Sequence, residues 1–147
     1  MSKKSDSVSF QVFNEIGIIH QLASSAFESA LPDGLKLSQF TLLNHCVRLG
    51  DGNTPAQLAS AFQVTKGAMT NTVNRLLTRG LVKVLPDPVD GRSKRVYITP
   101  EGLEMREQCL KNIGPVFHTV RQSFSEEEFE ELLPLLKKLR ILLDESR

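Results

Sequence analysis

The sequence predicts a mainly α-helical chain of 147 residues with one small β-hairpin. Over most of its length, apolar residues recur at intervals of three and four, the spacing of amphipathic helices. Two of these helical stretches are separated only by the short segment 63–65, and two β-branched runs at 81–85 and 94–98 enclose Pro, Asp and Gly. We therefore expect a helix-turn-helix with a hairpin, flanked by longer helices, in a single domain over residues 1–147.

The first two helices are expected upstream of the helix-turn-helix. Apolar residues that include Phe13 form one broad face over residues 9–31, so this stretch predicts a long helix that begins at Ser9. Ser38 is expected to cap a shorter second helix that ends before Gly50.

The helix-turn-helix itself is marked by cap residues. Thr54 and Gln57 have the spacing of a capping box, with Pro55 at the first helical position. Thr65 can cap the next helix, and Gly80 can end it. The residues expected to face inward on this helix are Ala68, Val73, Leu76 and Leu77. The opposite face, free to enter a DNA groove, would carry Lys66, Gly67, Met69, Thr70, Asn71 and Asn74.

The run A-M-T-N-T-V-N-R-L-L-T-R-G-L-V, followed by D-G-R in the hairpin and I-T-P-E-G after it, resembles the MarR (multiple antibiotic resistance regulator) family of bacterial transcription factors. The resemblance covers residues 35–110 by motif and the remainder by helix pattern. It implies a winged helix-turn-helix over residues 35–99, with the hairpin as the wing. It also implies a sequence-specific homodimer on pseudo-palindromic double-stranded DNA, most simply a repressor.

The recognition helix contains the residues expected to read the sequence of the DNA. We assign base contacts to Thr70 and Asn71. The family usually has Arg where this chain has Asn71, so the operator sequence stays open. The residues expected at phosphates, which position the protein without specifying sequence, are Lys66, Asn74, Arg79, Lys94 and Arg95.

Three further charged residues belong to the expected interface. Arg75 lies on the flank of the recognition helix, where arginines of the family often pair inside the protein. Arg92 matches the family's wing arginine, and Asp90 is expected to orient it. A guanidinium suits the narrow, strongly negative minor groove of A·T-rich DNA.

The charge distribution favours nucleic-acid binding, although the net charge is only +1. Residues 54–96 contain seven Lys or Arg and two Asp, a formal charge of +5. The rest of the chain contains eleven positive and fifteen negative residues. A basic module on an acidic frame concentrates positive potential where a phosphate backbone would lie.

The C-terminal part predicts two more helices. Thr99-Pro100 begins one that runs to Gln122, with a kink expected near Pro115 and a break into two helices as the alternative. Ser125 and Glu128 form a capping box for the last helix. Residues 100–145 and the predicted helix 9–31 have too much apolar surface to remain exposed to solvent, which predicts a homodimer. The alternative is that these helices pack only within one chain. The residues expected at this interface are Phe13, Leu132, Leu136, Leu139 and Leu143.

The family resemblance also implies a small aromatic or phenolic effector, bound between the dimer helices and the winged module. The residues assigned to this cleft are Ile16, His20, His45 and Phe117.

Other chemistry finds little support in the sequence. The histidines lack the close spacing of a zinc site, so we expect no metal and no cofactor. Cys46 and Cys109 lie on apolar helical stretches, where reduced, buried thiols are expected. No nucleophile or phosphate-binding motif is present, so we do not expect an enzyme. No membrane span or signal peptide is found, so we expect a cytoplasmic protein. The alternative function is a winged-helix protein-interaction or dimerisation module without DNA binding.

Overall fold

The structure is a computed structural model that describes residues 6–147, and over this range it contains six α-helices and one two-stranded antiparallel hairpin. The elements are α1 (Val8–Ala30), α2 (Leu37–Arg48), α3 (Pro55–Phe62), α4 (Lys66–Thr78), β1 (Val82–Pro86), β2 (Lys94–Ile98), α5 (Pro100–Arg121) and α6 (Glu126–Glu145). One compact unit extends to Ile113, and the other is Gly114–Arg147. Within the described range, no helix is long and apolar enough to cross a membrane.

The core of the first unit is an apolar cluster to which α2, α3, α4, the hairpin and α5 contribute. From α4 it takes Met69, Val73 and Leu76, which are spaced by four and three residues and so form one stripe. Ala68 and Leu77 are exposed, so the prediction that they face inward was wrong, as was the assignment of Met69 to the free face. The reason is the angular position of each residue on the helix. The larger Met69 side chain points into the core, and Ala68 lies about 100° away from it around the helix axis.

Three of the predicted helix starts are confirmed by their hydrogen bonds. Thr54 Oγ1 accepts from the Gln57 amide at 3.2 Å, and Gln57 Oε1 accepts from the Thr54 amide at 2.9 Å. Thr65 Oγ1 accepts from the Ala68 amide at 3.0 Å, which fixes the first turn of α4. Ser125 and Glu128 form the same reciprocal pair at the start of α6. Each cap of this kind stabilises its helix by about 1 kcal/mol.

Two other predicted caps were wrong. The cap of helix α1 lies two residues earlier than expected, because Ser7 rather than Ser9 accepts from the Phe10 amide. Helix α2 is not capped by Ser38. Its first turn is held by Gln39, whose Oε1 accepts from the Lys36 amide, and by Glu28 of α1, whose carboxylate accepts from the Leu37 amide at 3.0 Å. The start of α2 is therefore capped by the carboxylate of Glu28, from another helix, and not by the hydroxyl of Ser38 as the sequence predicted.

The hairpin follows α4 after the three residues 79–81. Gly80, at φ 71°, ends α4, and the Leu81 amide donates back to the Leu76 carbonyl at 3.0 Å. Strands β1 and β2 then pair antiparallel, from Val82 opposite Ile98 to Pro86 opposite Lys94. Asn53 adds an antiparallel bridge to Val96, so the loop between α2 and α3 borders the hairpin.

The second unit contains the end of α5 and all of α6. Helix α5 is continuous through Pro115, as expected, and does not break into two helices. Helix α6 begins with three glutamates in its first turn, which suit the positive end of the helix dipole. None of its residues is buried, and its leucines are largely exposed.

Candidate nucleic-acid interface

Helix α4 presents a polar face that lies opposite its buried stripe. Because Met69, Val73 and Leu76 point into the core, the remaining positions are directed outward. The predicted contact residues on this helix and at its C-cap are all exposed, namely Lys66, Thr70, Asn71, Asn74, Arg75 and Arg79. The helix therefore offers amide, hydroxyl and cationic groups on one surface.

A groove of about 650 Å³ lies between this face, the start of α3 and the wing. Thr70 and Asn74 line it from α4, and Arg92 and Lys94 line it from the hairpin. Its other lining residues are Thr54, Pro55, Ala56, Val73, Leu77, Val84 and Ser93. Four residues predicted to contact DNA are thus brought to one groove, although 18 or more positions separate the two groups in sequence.

Arg75 pairs with a neighbour on its own helix. Its Nε donates to Asn71 Oδ1 at 3.4 Å, one turn earlier. Both side chains are exposed, so the pair belongs to the outward face of α4. Arg75 thus pairs on the exposed face of α4, with the residue expected to read a base, and not inside the protein.

The wing tip presents Arg92 to solvent, with 96% of its side chain exposed. Asp90 Oδ1 lies 3.6 Å from Arg92 Nε and accepts from the Arg92 amide at 3.1 Å. Asp90 is therefore placed beside Arg92 as expected, and its stronger contact is with the backbone. Beyond its contact with Asp90, the Arg92 guanidinium is open to solvent.

Arg95 is half-buried and its guanidinium is bonded within the protein, which differs from its expected role as an open phosphate contact. Its Nε donates to Asp87 Oδ2 at 2.7 Å, and its Nη1 donates to the Gly52 carbonyl at 2.8 Å. Side chains on a strand alternate in direction, and Arg95 points towards the loop that borders the hairpin while Lys94 points to the groove.

Asp87 is the residue of this region that sequence reasoning missed. Its side chain is 10% exposed and accepts from the amides of Val89 and Asp90 at 2.8 and 3.1 Å. These two amides, and then Arg95, hold the pKa of the Asp87 carboxyl below its ordinary value. The available signal was an Asp directly before Pro at the end of a strand, which is typical of a side chain that organises a turn.

The four residues assigned to an effector cleft are divided between the two units. Ile16 and His45 are half-buried and His20 is exposed in the first, and Phe117 is exposed in the second. His45 Nε2 lies 3.2 Å from Asn53 Nδ2, and its ring packs edge-on against Phe62.

Both cysteines are free and buried; burial is the main cause that raises the pKa of Cys46 to about 12 and that of Cys109 to about 11.

The residues assigned to dimerisation leave apolar surface uncovered in the single chain. The exposed members are Phe13, Leu132, Leu136 and Leu143, and Leu139 is half-buried. Neither α1 nor α6 has a buried residue.

Comparison with known proteins identifies consistent similarities. A family model described as the MarR family matches residues 33–93. The multiple antibiotic resistance protein MarR of Salmonella typhimurium is 33% identical over 109 residues, which are 74% of this chain and 75% of that protein. The transcriptional regulator HosA of Escherichia coli O111:H- is 27% identical over 133 residues, 88% of this chain and 94% of that protein. The crystal structure of a mutant Escherichia coli MarR complexed with operator DNA matches 91% of this chain and 99% of its own, with a TM-score of 0.72 and 27% identity.

Proposed function

The chain belongs to the MarR family and is a DNA-binding transcriptional regulator, and from this premise we propose that it acts as a homodimeric repressor on pseudo-palindromic operators. The observation that supports this most directly is the groove shared by α4 and the wing, with Thr70 and Asn74 on one side and Arg92 and Lys94 on the other. A duplex lying across it would meet helix and hairpin together.

In this proposal α4 enters the major groove. Thr70 and Asn71 contact base edges, and Lys66, Asn74, Arg79 and Lys94 contact phosphates. The two copies read half-sites about one helical turn, 10 to 10.5 base pairs, apart. Arg75 acts on the Asn71 amide rather than on the backbone of the DNA.

The wing reaches the flanking minor groove. Arg92 is the residue best placed for this contact, because its guanidinium is exposed and lies at the tip. An inserted arginine is favoured where A·T-rich sequence narrows the groove.

Two copies assemble through the N- and C-terminal helices. The support is the apolar surface that each of α1 and α6 exposes, since exposed apolar patches mark interaction sites. A small aromatic or phenolic effector would cause release from the operator. The residues proposed to contact it are Ile16, His20 and His45 in the first unit and Phe117 in the second. The regulator would act in the cytoplasm and without catalytic activity. The alternative of a winged-helix module without DNA binding has no support in relatives named as transcriptional regulators.

The test is selection of bound fragments from random genomic DNA, followed by a salt titration on the recovered duplex. We expect a palindrome and a steep slope of log K against log [salt], about −0.9 for each phosphate neutralised. A match to only one half-site, bound by one chain, would contradict the homodimer. Recovery of no preferred sequence would contradict the operator proposal.

A further inference from the structure

Arg95 connects the wing tip to a distant part of the first unit. Its Nε donates to Asp87 Oδ2 at 2.7 Å, and Asp87 lies where β1 passes into the tip loop. Its Nη1 donates to the Gly52 carbonyl at 2.8 Å, 43 residues away in sequence. One guanidinium therefore spans the loop before α3 and the base of the tip.

On the tip side, Asp87 is the centre of the loop. One carboxylate oxygen accepts from the amides of Val89 and Asp90, and the other accepts from Arg95. The Asp87 amide in turn donates to the Ser93 carbonyl at 2.8 Å, which closes the loop. The tip that presents Arg92 is thus ordered through the same carboxylate that Arg95 holds.

On the other side, Gly52 is itself fixed against β2. Its amide donates to the Val96 carbonyl at 3.0 Å, and the Val96 amide donates to the Asn53 carbonyl at 2.9 Å. The loop before α3 is therefore a rigid point of attachment. The pairing of β1 with β2 does not use the Arg95 side chain, so the hairpin can form without it.

The two bonds require the shape of arginine as well as its charge. A guanidinium presents several N–H groups in a fixed plane and can serve a carboxylate and a carbonyl at once, whereas an ammonium is a point charge on a flexible stem. Only 35% of the Arg95 side chain and 10% of the Asp87 side chain are exposed, so solvent screens this ion pair less than the pair at the tip, where 96% of Arg92 and 55% of Asp90 are exposed.

We propose that Arg95 is a positioning residue, which clamps the wing tip to the loop before α3 and so fixes where Arg92 is presented to DNA. This rests on the proposed contact of Arg92 with the minor groove. Loss of these two bonds would loosen the tip and weaken the contact of Arg92 with DNA, while the contacts of α4 with DNA would be kept.

The first test needs no DNA. Arg95→Met removes both bonds and keeps much of the aliphatic stem, and Lys94→Met removes the same charge from the neighbouring residue without touching the clamp. We expect amide hydrogen exchange over residues 89–92 to be about tenfold faster in Arg95→Met and unchanged in Lys94→Met. Equal exchange in Arg95→Met and wild type would overturn the proposal.

The second test uses a duplex operator with A·T-rich flanks and the variants Arg92→Ala, Arg95→Met and both together. If Arg95 acts through Arg92, Arg95→Met lowers affinity by about tenfold alone and by less than about twofold when Arg92 is already Ala. Effects that multiply in the double variant mean that Arg95 acts independently of Arg92, and would overturn the proposal.

The two tests separate failure of the clamp from failure of the proposed wing contact. If Arg92→Ala leaves affinity unchanged at A·T-rich flanks, the minor-groove contact fails, and the exchange experiment alone decides the clamp. Thermal unfolding checks that each variant folds. If Arg95→Met does not fold, Arg95→Lys takes its place. We expect the amides of its wing tip to exchange faster than in wild type, but more slowly than in a tip that has lost both bonds. A wild-type exchange rate in Arg95→Lys would overturn the requirement for a guanidinium.

Discussion

Arg75 Nε donates a hydrogen bond to Asn71 Oδ1 across one turn of α4, at 3.4 Å. The bond engages the oxygen of the Asn71 amide and leaves its NH₂ group directed away from Arg75. A carbonyl oxygen has two lone pairs, so Asn71 can still accept from a base while Arg75 holds it. Arg75 thus favours the orientation of the Asn71 amide in which the oxygen faces the arginine.

Arg75→Met should relax base selection at the position that Asn71 contacts. Without the guanidinium the amide can rotate, and its donor and acceptor are no longer set in advance. We expect a flatter base preference at one symmetric position of each half-site, measured by binding-site selection. Arg75→Lys serves as a control for charge, because lysine keeps the cation without the planar fork. If Arg75→Met keeps the full base preference, the orientation of the Asn71 amide does not depend on Arg75.

Gly67→Ala should stabilise the protein and weaken its binding to DNA. Gly67 lies in the first turn of α4, and a Cβ there would meet nothing within 4 Å, so no packing reason requires glycine. Alanine should raise the free energy of unfolding by about 0.5 to 1 kcal/mol. In the proposed complex the added methyl group keeps a phosphate from the helix start, so affinity falls for all sequences alike. Chemical denaturation and duplex titration measure the two effects; unchanged affinity would remove Gly67 from the interface.

Local cap and turn chemistry made much of this fold predictable. Thr54, Thr65 and Ser125 begin their helices because the bond each makes lies within three residues. The limits of β2 were likewise predicted, since Pro, Asp and Gly mark the loop before it. Such signals need no knowledge of the rest of the chain.

The errors arose where a distant group decides. Glu28 of α1 caps the Leu37 amide, so Ser38 is not needed as a cap. Arg95 and Lys94 are adjacent cations of similar appearance in sequence, and the positions of Asp87 and of Gly52, which is 43 residues away, distinguish a clamp from a groove residue. Met69 and Ala68 show the same limit within one helix, because which of the two is buried depends on what packs against it.

Asp87→Asn should lower thermal stability at neutral pH but not in acid. The pKa of Asp87 lies below its ordinary value of 3.8, so the folded state favours the ionised form. The stability this contributes is complete above the ordinary value and is lost as the pH falls through the folded pKa. The difference in Tm between wild type and Asp87→Asn should therefore shrink below about pH 4.

The control for that series is Asp90→Asn, which removes the same charge from the same loop without breaking the contact with Arg95. A Tm difference between wild type and Asp87→Asn that stays constant from neutral pH into acid would contradict the account.

Charged substitutions on the exposed apolar faces of α1 and α6 should dissociate the proposed dimer. Phe13 and Leu143 are 44% and 56% exposed in the single chain, and a carboxylate at either would have to be desolvated on assembly. We expect Phe13→Glu and Leu143→Glu to give monomers in sedimentation or light scattering, with greatly weakened operator binding. Val89→Glu, at the wing tip and away from both helices, should remain dimeric. A dimeric Leu143→Glu variant would exclude this part of α6 from the interface.

Asn71 provides the sharpest test of sequence readout, because it stands where the family usually has arginine. Its amide matches the N7 acceptor and N6 donor of adenine, a pairing worth about 1 to 3 kcal/mol of discrimination. The alternative is that Asn71 binds a phosphate or a water and has no influence on sequence. If it reads a base, Asn71→Ala relaxes preference at one position per half-site while the salt slope stays nearly unchanged. Asn71→Arg moves the preference there towards guanine, whose O6 and N7 pair with a guanidinium. Binding-site selections on wild type and both variants decide between these readings, and the same preferred base at every position in all three would exclude Asn71 from the readout.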